Sequence, residues 1–286
     1  MTMTRGVLTL AALLLLPAAT GGSAEVDPPP AVIDHPPVEE LLTRPFLDDH
    51  LANVVYGFRI VTQTGRYAGR YAGNDLTCAN CHLDAGRRTD ALPLNVAGLY
   101  PKWRGKNGRM NGIGLRIREC FVYSMDGIMP PEHAPEVMAV AAYISYLSDG
   151  QTVGRSPPGR GAPTLPDTGL DPNPSRGAVV YASHCQACHG DDGAGGETAP
   201  PLWGVLSYNR GAGMNNTDKA AGFIWANMPL GQERTLSHQQ AQDVAAFLHL
   251  QYRPADPRHD TLIKMVEPLV KGAHRLVRRV VALASS

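Results

Sequence analysis

The chain has 286 residues, with 26 basic and 26 acidic side chains that cancel at pH 7. That balance gives no electrostatic footprint for nucleic acid. Aromatic residues make up only 6%, against 30 glycines and 24 prolines, which argues for small helical units joined by loops rather than one large core.

The first 24 residues read as a secretory signal. Arg5 supplies the basic start, Val7 to Leu16 the apolar run, Pro17 its end, and Gly22-Ser23-Ala24 a small-residue cleavage site. The run is too short to span a bilayer comfortably, so a cleaved signal and a periplasmic mature chain are expected. Residues 25–50 are predicted to be an irregular tether, because Pro28, Pro29, Pro30, Pro36, Pro37 and Pro45 oppose regular structure. From Leu51 to Thr64, the residues Val54, Val55, Phe58, Ile60 and Val61 recur at helical spacing and predict a helix.

Cys78-Ala79-Asn80-Cys81-His82 follows, a C-x-x-C-H pattern of covalent haem attachment. The two thiols form thioethers, and the histidine becomes the proximal ligand of the iron. Cys185-Gln186-Ala187-Cys188-His189 repeats the pattern. Disulfides within each pair would leave the repeated histidine unexplained. Two covalently bound haem c groups are therefore predicted, with His82 and His189 as metal ligands. Haem attachment is periplasmic work in bacteria, in keeping with export. Cys120 is the fifth cysteine and is left over.

Residues 83–118 are glycine-rich and poor in regular pattern, with a basic excess: Arg87, Arg88, Lys102, Arg104, Lys106, Arg109, Arg116 and Arg118. A solvated loop, contacts to haem propionates, or a cleft that focuses a small anion would each account for it. Pro135 opens a predicted helix through Leu147, with Val137, Val140, Ala141, Ile144 and Leu147 inward. The proline-rich stretch 151–174 is a linker and domain boundary. Residues 175–256 then repeat 51–150: a helix into Cys185, a glycine-rich loop, and a closing helix from the N-cap candidate Ser237 to Leu250. Val140-Ala-Ala-Tyr143 lies 58 residues beyond His82, and Val244-Ala-Ala-Phe247 lies 55 beyond His189. The fold class is mainly α: two tandem small class I cytochrome c domains. Residues 257–286 end in an amphipathic basic helix, whose stripe of Leu262, Val266, Leu269, Ala273, Leu276 and Val280 is expected to dock on the protein's own surface; a partner or an anionic membrane surface is the alternative.

The sixth iron ligand separates carriers from catalysts. In the second domain Met228, in Asn227-Met228-Pro229, is the candidate and Met214 its competitor. In the first, Cys120, Met129 and Met125 compete. Buried hydrophobe and intermolecular disulfide are the plain alternatives for Cys120, but Arg116 and Arg118 stand close in sequence, and cations favour a thiolate.

Asn74-Asp-Leu-Thr-Cys78-Ala-Asn-Cys81-His82-Leu-Asp-Ala-Gly86 resembles the first haem motif of the thiosulfate dehydrogenases, diheme cytochromes that join two thiosulfates into tetrathionate. Arg116-Ile117-x-x-Cys120-Phe121-x-x-Ser124-Met125-x-Gly127 resembles that family's distal segment, and Asn227-Met228-Pro229 its second distal loop. The resemblance covers roughly residues 50–253. It implies that Cys120 is the axial thiolate of the catalytic haem, that Arg116 holds the sulfonate end of the substrate, that Phe121 and Ser124 line the pocket, and that Lys106 fills a basic position. It implies a soluble cytochrome or similar electron acceptor. The sequence departs from the pattern at Tyr123, where an arginine often stands, and at Asn227, where some members carry a lysine able to reach iron. A non-catalytic diheme carrier, with Met129 as ligand, is the competing expectation. A third is a diheme cytochrome acting on a protein-bound cysteine.

Overall fold

The structure is a computed structural model that describes residues 38–259 and 261–284. The predicted signal and the start of the tether lie outside the described residues. The tether is not wholly irregular: α1 (Val38–Leu41) forms one turn whose Val38 and Leu41 are buried. Helix α2 (Asp49–Thr62) starts on Asp48, whose carboxylate accepts from the Leu51 amide at 2.8 Å. A short α3 (Thr64–Tyr67) leads to the first C-x-x-C-H.

The next span corrects the sequence reading, because it is not pattern-free. After the single turn α4 (Leu83–Gly86), strands β1 (Lys102–Arg104) and β2 (Arg109–Asn111) pair antiparallel with Lys102 opposite Asn111. Helix α5 (Ile113–Tyr123) then carries both Arg116 and Cys120. Its buried side chains are Ile117, Glu119 and Phe121, too sparse an apolar stripe to show as helical periodicity. Glu119 is satisfied by Asn107 at 2.6 Å and Asn111 at 3.1 Å, which straps the hairpin to the helix.

Helix α6 (Pro135–Leu147) closes the first unit. Val137, Val140, Ile144 and Leu147 are buried as expected, and Ala139 and Tyr143 join them. Each such aliphatic side chain contributes about 1.5–3 kcal/mol on burial. The second unit contains α7 (Pro174–His184), α8 (Gln186–His189), α9 (Thr217–Asn227) and α10 (His238–Leu250), the last capped by Ser237 as predicted. Each unit has its own apolar cluster.

The internal repeat is physical. In the first unit α2 crosses α6 so closely that a Cβ on Gly57 would lie 2.1 Å from the Ala139 carbonyl oxygen and 2.8 Å from Tyr143 Cβ. In the second, α7 crosses α10 likewise: a Cβ on Gly177 would lie 2.0 Å from the Asp243 carbonyl oxygen and 2.9 Å from Phe247 Cβ. Glycine is required at both crossings, and the aligned aromatics Tyr143 and Phe247 mark the same point.

The two units are stitched together. Asn74 Nδ2 donates to the carbonyls of Ser124 and Ser207, at 2.8 and 3.2 Å. Asn209 Nδ2 donates to the Val122 carbonyl and the Asp126 carboxylate. Arg88 pairs with Glu233 and Arg234 with Asp90. The linker takes part: the Gly159 and Gly161 carbonyls accept from the amides of Asp90 and Leu92, at 2.7 and 3.1 Å.

Helix α11 (Thr261–Ala284) forms where the tail predicted it but faces the other way. Lys271 is buried and pairs with Asp126. Glu267 accepts from the Ala255 amide at 2.9 Å, and Arg275 reaches Asp75 at 3.3 Å. Val266, Leu269, Leu276 and Val280, expected to dock, are exposed. Carboxylates at 75 and 126 offer the helix a charged seat, so its polar face wins the contact.

Candidate active site

The first attachment motif begins at a short helical turn over Cys78–Asn80, braced by Asn80 Oδ1 accepting from the Thr77 amide. Buried Thr64 holds the motif: its hydroxyl accepts from the Cys78 amide at 3.1 Å and lies 3.4 Å from Cys78 Sγ. Burial pushes the Cys78 thiol up to about 11 and the Cys81 thiol up to about 12. The five cysteines are all free thiols here, with no disulfide.

His82 Nδ1 donates to the Leu92 carbonyl, and burial lowers this imidazole to about 4 despite that contact. It is therefore neutral at pH 7 with Nε2 left for a metal, as a metal-ligating histidine needs. The carbonyl is presented by a strained backbone. Leu92 has φ 56, and Asp84, Ala85 and Asp90 share the left-handed region at 52, 55 and 60. Four such non-glycine residues within one loop mark a functional site. In the second motif His189 Nδ1 donates to the Pro200 carbonyl at 3.0 Å, and burial again lowers the imidazole. Both motifs thus offer two free thiols and one oriented neutral imidazole, a donor set that fits haem c.

Distal candidates separate by position. Arg116 Nη1 donates to Cys120 Sγ at 3.1 Å, one helical turn apart on α5. Cys120 is the largest cause raising the Arg116 guanidinium, and nearby Tyr100 adds to it. Cys120 lies within electrostatic range of both Cys78 and Cys81. Met129 is 44% exposed and Met125 is buried in the first core. In the second unit Met228 caps α9, and both it and Met214 pack against the core. Asn227 is fully buried and donates to the Asp90 carbonyl at 3.0 Å, so it joins the units.

The basic span resolves into two parts. Arg87 pairs with Glu39, Arg88 with Asp84 and Glu233, and Arg118 donates to the Pro130 carbonyl, so these three serve structure. Lys106 is brought toward Arg116 and Cys120, with Arg104 in electrostatic reach of it. Its Nζ donates to the Gly211 carbonyl and stands 4.3 Å from the Tyr123 ring centroid. Burial, helped by Arg116 and Arg258, lowers it to about 8. Ser124 caps α5, and its carbonyl anchors Asn74. Phe121 departs from its expected part: its ring is buried in the core, edge-to-face with Tyr71 at 5.9 Å.

Residues the sequence did not flag complete the surroundings. Arg258 lies 5.6 Å from the Tyr123 ring centroid, donates to the Lys106 carbonyl at 3.5 Å and is held by Asp256. It brings a guanidinium beside the tyrosine from 135 positions away. Tyr208 of the second unit packs on the first core under Arg253, whose guanidinium lies 4.0 Å from its ring centroid. No local pattern announces either residue.

The chain is similar to known proteins. The family model described as cytochrome c oxidase, cbb3-type, subunit III matches residues 172–248. The thiosulfate dehydrogenase of Thiomonas intermedia (strain K12) is 42% identical over 249 residues, 84% of this chain and 75% of that protein. The chain belongs to the thiosulfate dehydrogenase family. The thiosulfate dehydrogenase of Stutzerimonas stutzeri (strain A1501) is 40% identical over 72% of this chain and 69% of its own length. The solved thiosulfate dehydrogenase of Marichromatium purpuratum, in its as-isolated form, superposes with a TM-score of 0.71 at 42% identity, covering 75% of this chain and 49% of that longer one. The dehydrogenase fold here is mainly helical, with a cytochrome c domain that binds haem c.

Proposed function

We propose that this protein oxidises two thiosulfates to tetrathionate in the first unit and passes the two electrons through the second to an external cytochrome-type acceptor. The observation that carries the reading is the contact between Arg116 and Cys120 beside the Cys78–His82 motif. Two haem c groups are assigned: one would be held by Cys78, Cys81, His82 and Cys120, the other by Cys185, Cys188, His189 and Met228. When bound, they supply two one-electron sinks.

The chain's own residues do the rest. Arg116, held against Cys120, and Lys106 offset the substrate's two negative charges. Cys120 thiolate bonds to the terminal sulfur of one thiosulfate with loss of two electrons, giving a cysteine S-thiosulfonate. A second thiosulfate attacks the sulfur next to the sulfonate; tetrathionate leaves and the thiolate returns, so charge and electrons balance. Ser124, at the end of α5, is assigned to the pocket wall, while Phe121 steadies the helix from its core side.

Two further assignments support this reading. The domains are assigned to 51–150 and 175–256 joined by 151–174, each holding most of one apolar cluster, with Val38 and Leu41 adding to the first and Leu165 to the second. Cytochrome maturation at C-x-x-C-H and the signal-like 1–24 assign the mature protein to the periplasm. Thiosulfate added with ferricyanide tests the function: tetrathionate should appear with two ferricyanides reduced for each. Reduction of the protein by a partner dehydrogenase, with no turnover of free thiosulfate, would return the reading to a diheme carrier.

A further inference from the structure

Helix α11 turns its polar face to the protein and its apolar face outward. Among the described side chains of α11, Glu267 and Lys271 are the buried ones, seated against the Ala255 amide and Asp126. On the opposite side, Met265, Val266, Leu269, Val270, Leu276 and Val280 are exposed, with Leu269 at 76%. At 100° per residue these positions form a stripe about 140° wide. The helix spans 24 residues, about 36 Å. An aliphatic surface of this extent is a contact surface.

Charge decides what it contacts. His274 and Arg279 are exposed and fall at the two edges of the stripe. The acid within residues 265–283, Glu267, is buried. The outward surface of these described residues is therefore apolar with a basic border and no exposed carboxylate. A second copy laid along the stripe would bring basic groups to basic groups with no acid on the stripe to answer them. An anionic bilayer answers both features: the acyl boundary takes the aliphatic side chains, and lipid phosphates take the basic border. The side of the helix that would otherwise face water already rests on Asp126 and Asp75. Among the described residues no helix is long and apolar enough to cross a membrane, so the contact is interfacial.

We infer that α11 seats the protein on the surface of a bilayer containing anionic phospholipid, with its axis in the membrane plane. This stands apart from the thiosulfate chemistry and does not depend on it.

Flotation of the haem-loaded protein tests the inference. With vesicles of phosphatidylcholine and about 30 mol % phosphatidylglycerol the protein should float, and salt should weaken the binding. The double variant Leu269→Asp, Leu276→Asp should lose partitioning by about a hundredfold, with an unchanged melting temperature and unchanged thiosulfate turnover in vesicle-free solution. Arg279→Gln should lose about fivefold, on anionic vesicles only. Three results would each overturn the idea: wild-type protein that stays with the soluble fraction, flotation equal in the double variant, or sedimentation showing a stripe-dependent dimer that ignores vesicles.

Discussion

Arg116 and Cys120 stand one turn apart on α5, with Nη1 3.1 Å from Sγ, and this places a fixed cation on the one cysteine that neither C-x-x-C-H motif uses. Replacing Cys120 by Ala should leave both haems attached, because the thioether cysteines and proximal histidines are other residues. Thiosulfate oxidation should fall about a thousandfold or more. Haem content by pyridine haemochrome and turnover with ferricyanide read the two effects separately. A Cys120→Ala protein with full turnover would remove the thiolate from the mechanism.

Lys106 makes the reaction sensitive to alkali. Held down to about 8 by burial and by Arg116 and Arg258, it is charged below that pH and neutral above it. Substrate attraction is thus present below about pH 8 and fades as pH rises. KM for thiosulfate should climb by up to about tenfold per pH unit above 8, with kcat less affected. In Lys106→Met the KM should start high and lose this pH dependence. A wild-type KM that is flat from pH 7 to 9.5 would contradict the role.

Gly159 connects the linker to the first iron ligand. It has φ 62, and a Cβ there would stand 2.5 Å from Thr89 Cβ. Its carbonyl holds the Asp90 amide, two residues before the Leu92 carbonyl that orients His82. Gly159→Val should destabilise the protein by about 1–3 kcal/mol and shift the reduction potential of the first haem alone. Gly161→Ala, at φ 93 but with open space around the added methyl, carries the backbone strain without the clash and should do less. Equal shifts at both haems would argue for a general loss of structure instead.

Lys271 and Asp126 form an ion pair with side chains 8% and 0% exposed. Asp126 also accepts from Asn209 at 2.7 Å, so one carboxylate ties α11, the first unit and the second. Lys271→Met removes this buried ion pair and should cost up to about 3–5 kcal/mol in thermal unfolding. The double variant Lys271→Met, Asp126→Asn should recover much of the loss. No recovery would show that packing of the Lys271 stem, rather than charge, matters there.

The sequence by itself determined the local chemistry. Cys78, Cys81 and His82 with their copy at 185–189, the helices 135–147 and 238–250 and the repeat marked by Val140–Tyr143 and Val244–Phe247 were legible, because each rests on spacing within a few residues or on apolar periodicity. Helix α5 was not legible as a helix, since it buries only Ile117, Glu119 and Phe121 against protein and shows no continuous stripe. Tertiary structure alone decided which of the clustered basic residues are spent on Glu39, Asp84 and Glu233, and which reach Cys120. It alone brought Arg258 to Tyr123 and the linker carbonyls to the His82 loop, contacts between segments far apart in the chain that no local pattern encodes. It also reversed α11. Amphipathic spacing shows that a helix has two faces, but which face meets the protein depends on what the receiving surface offers, and here that surface offers the carboxylates of Asp75 and Asp126.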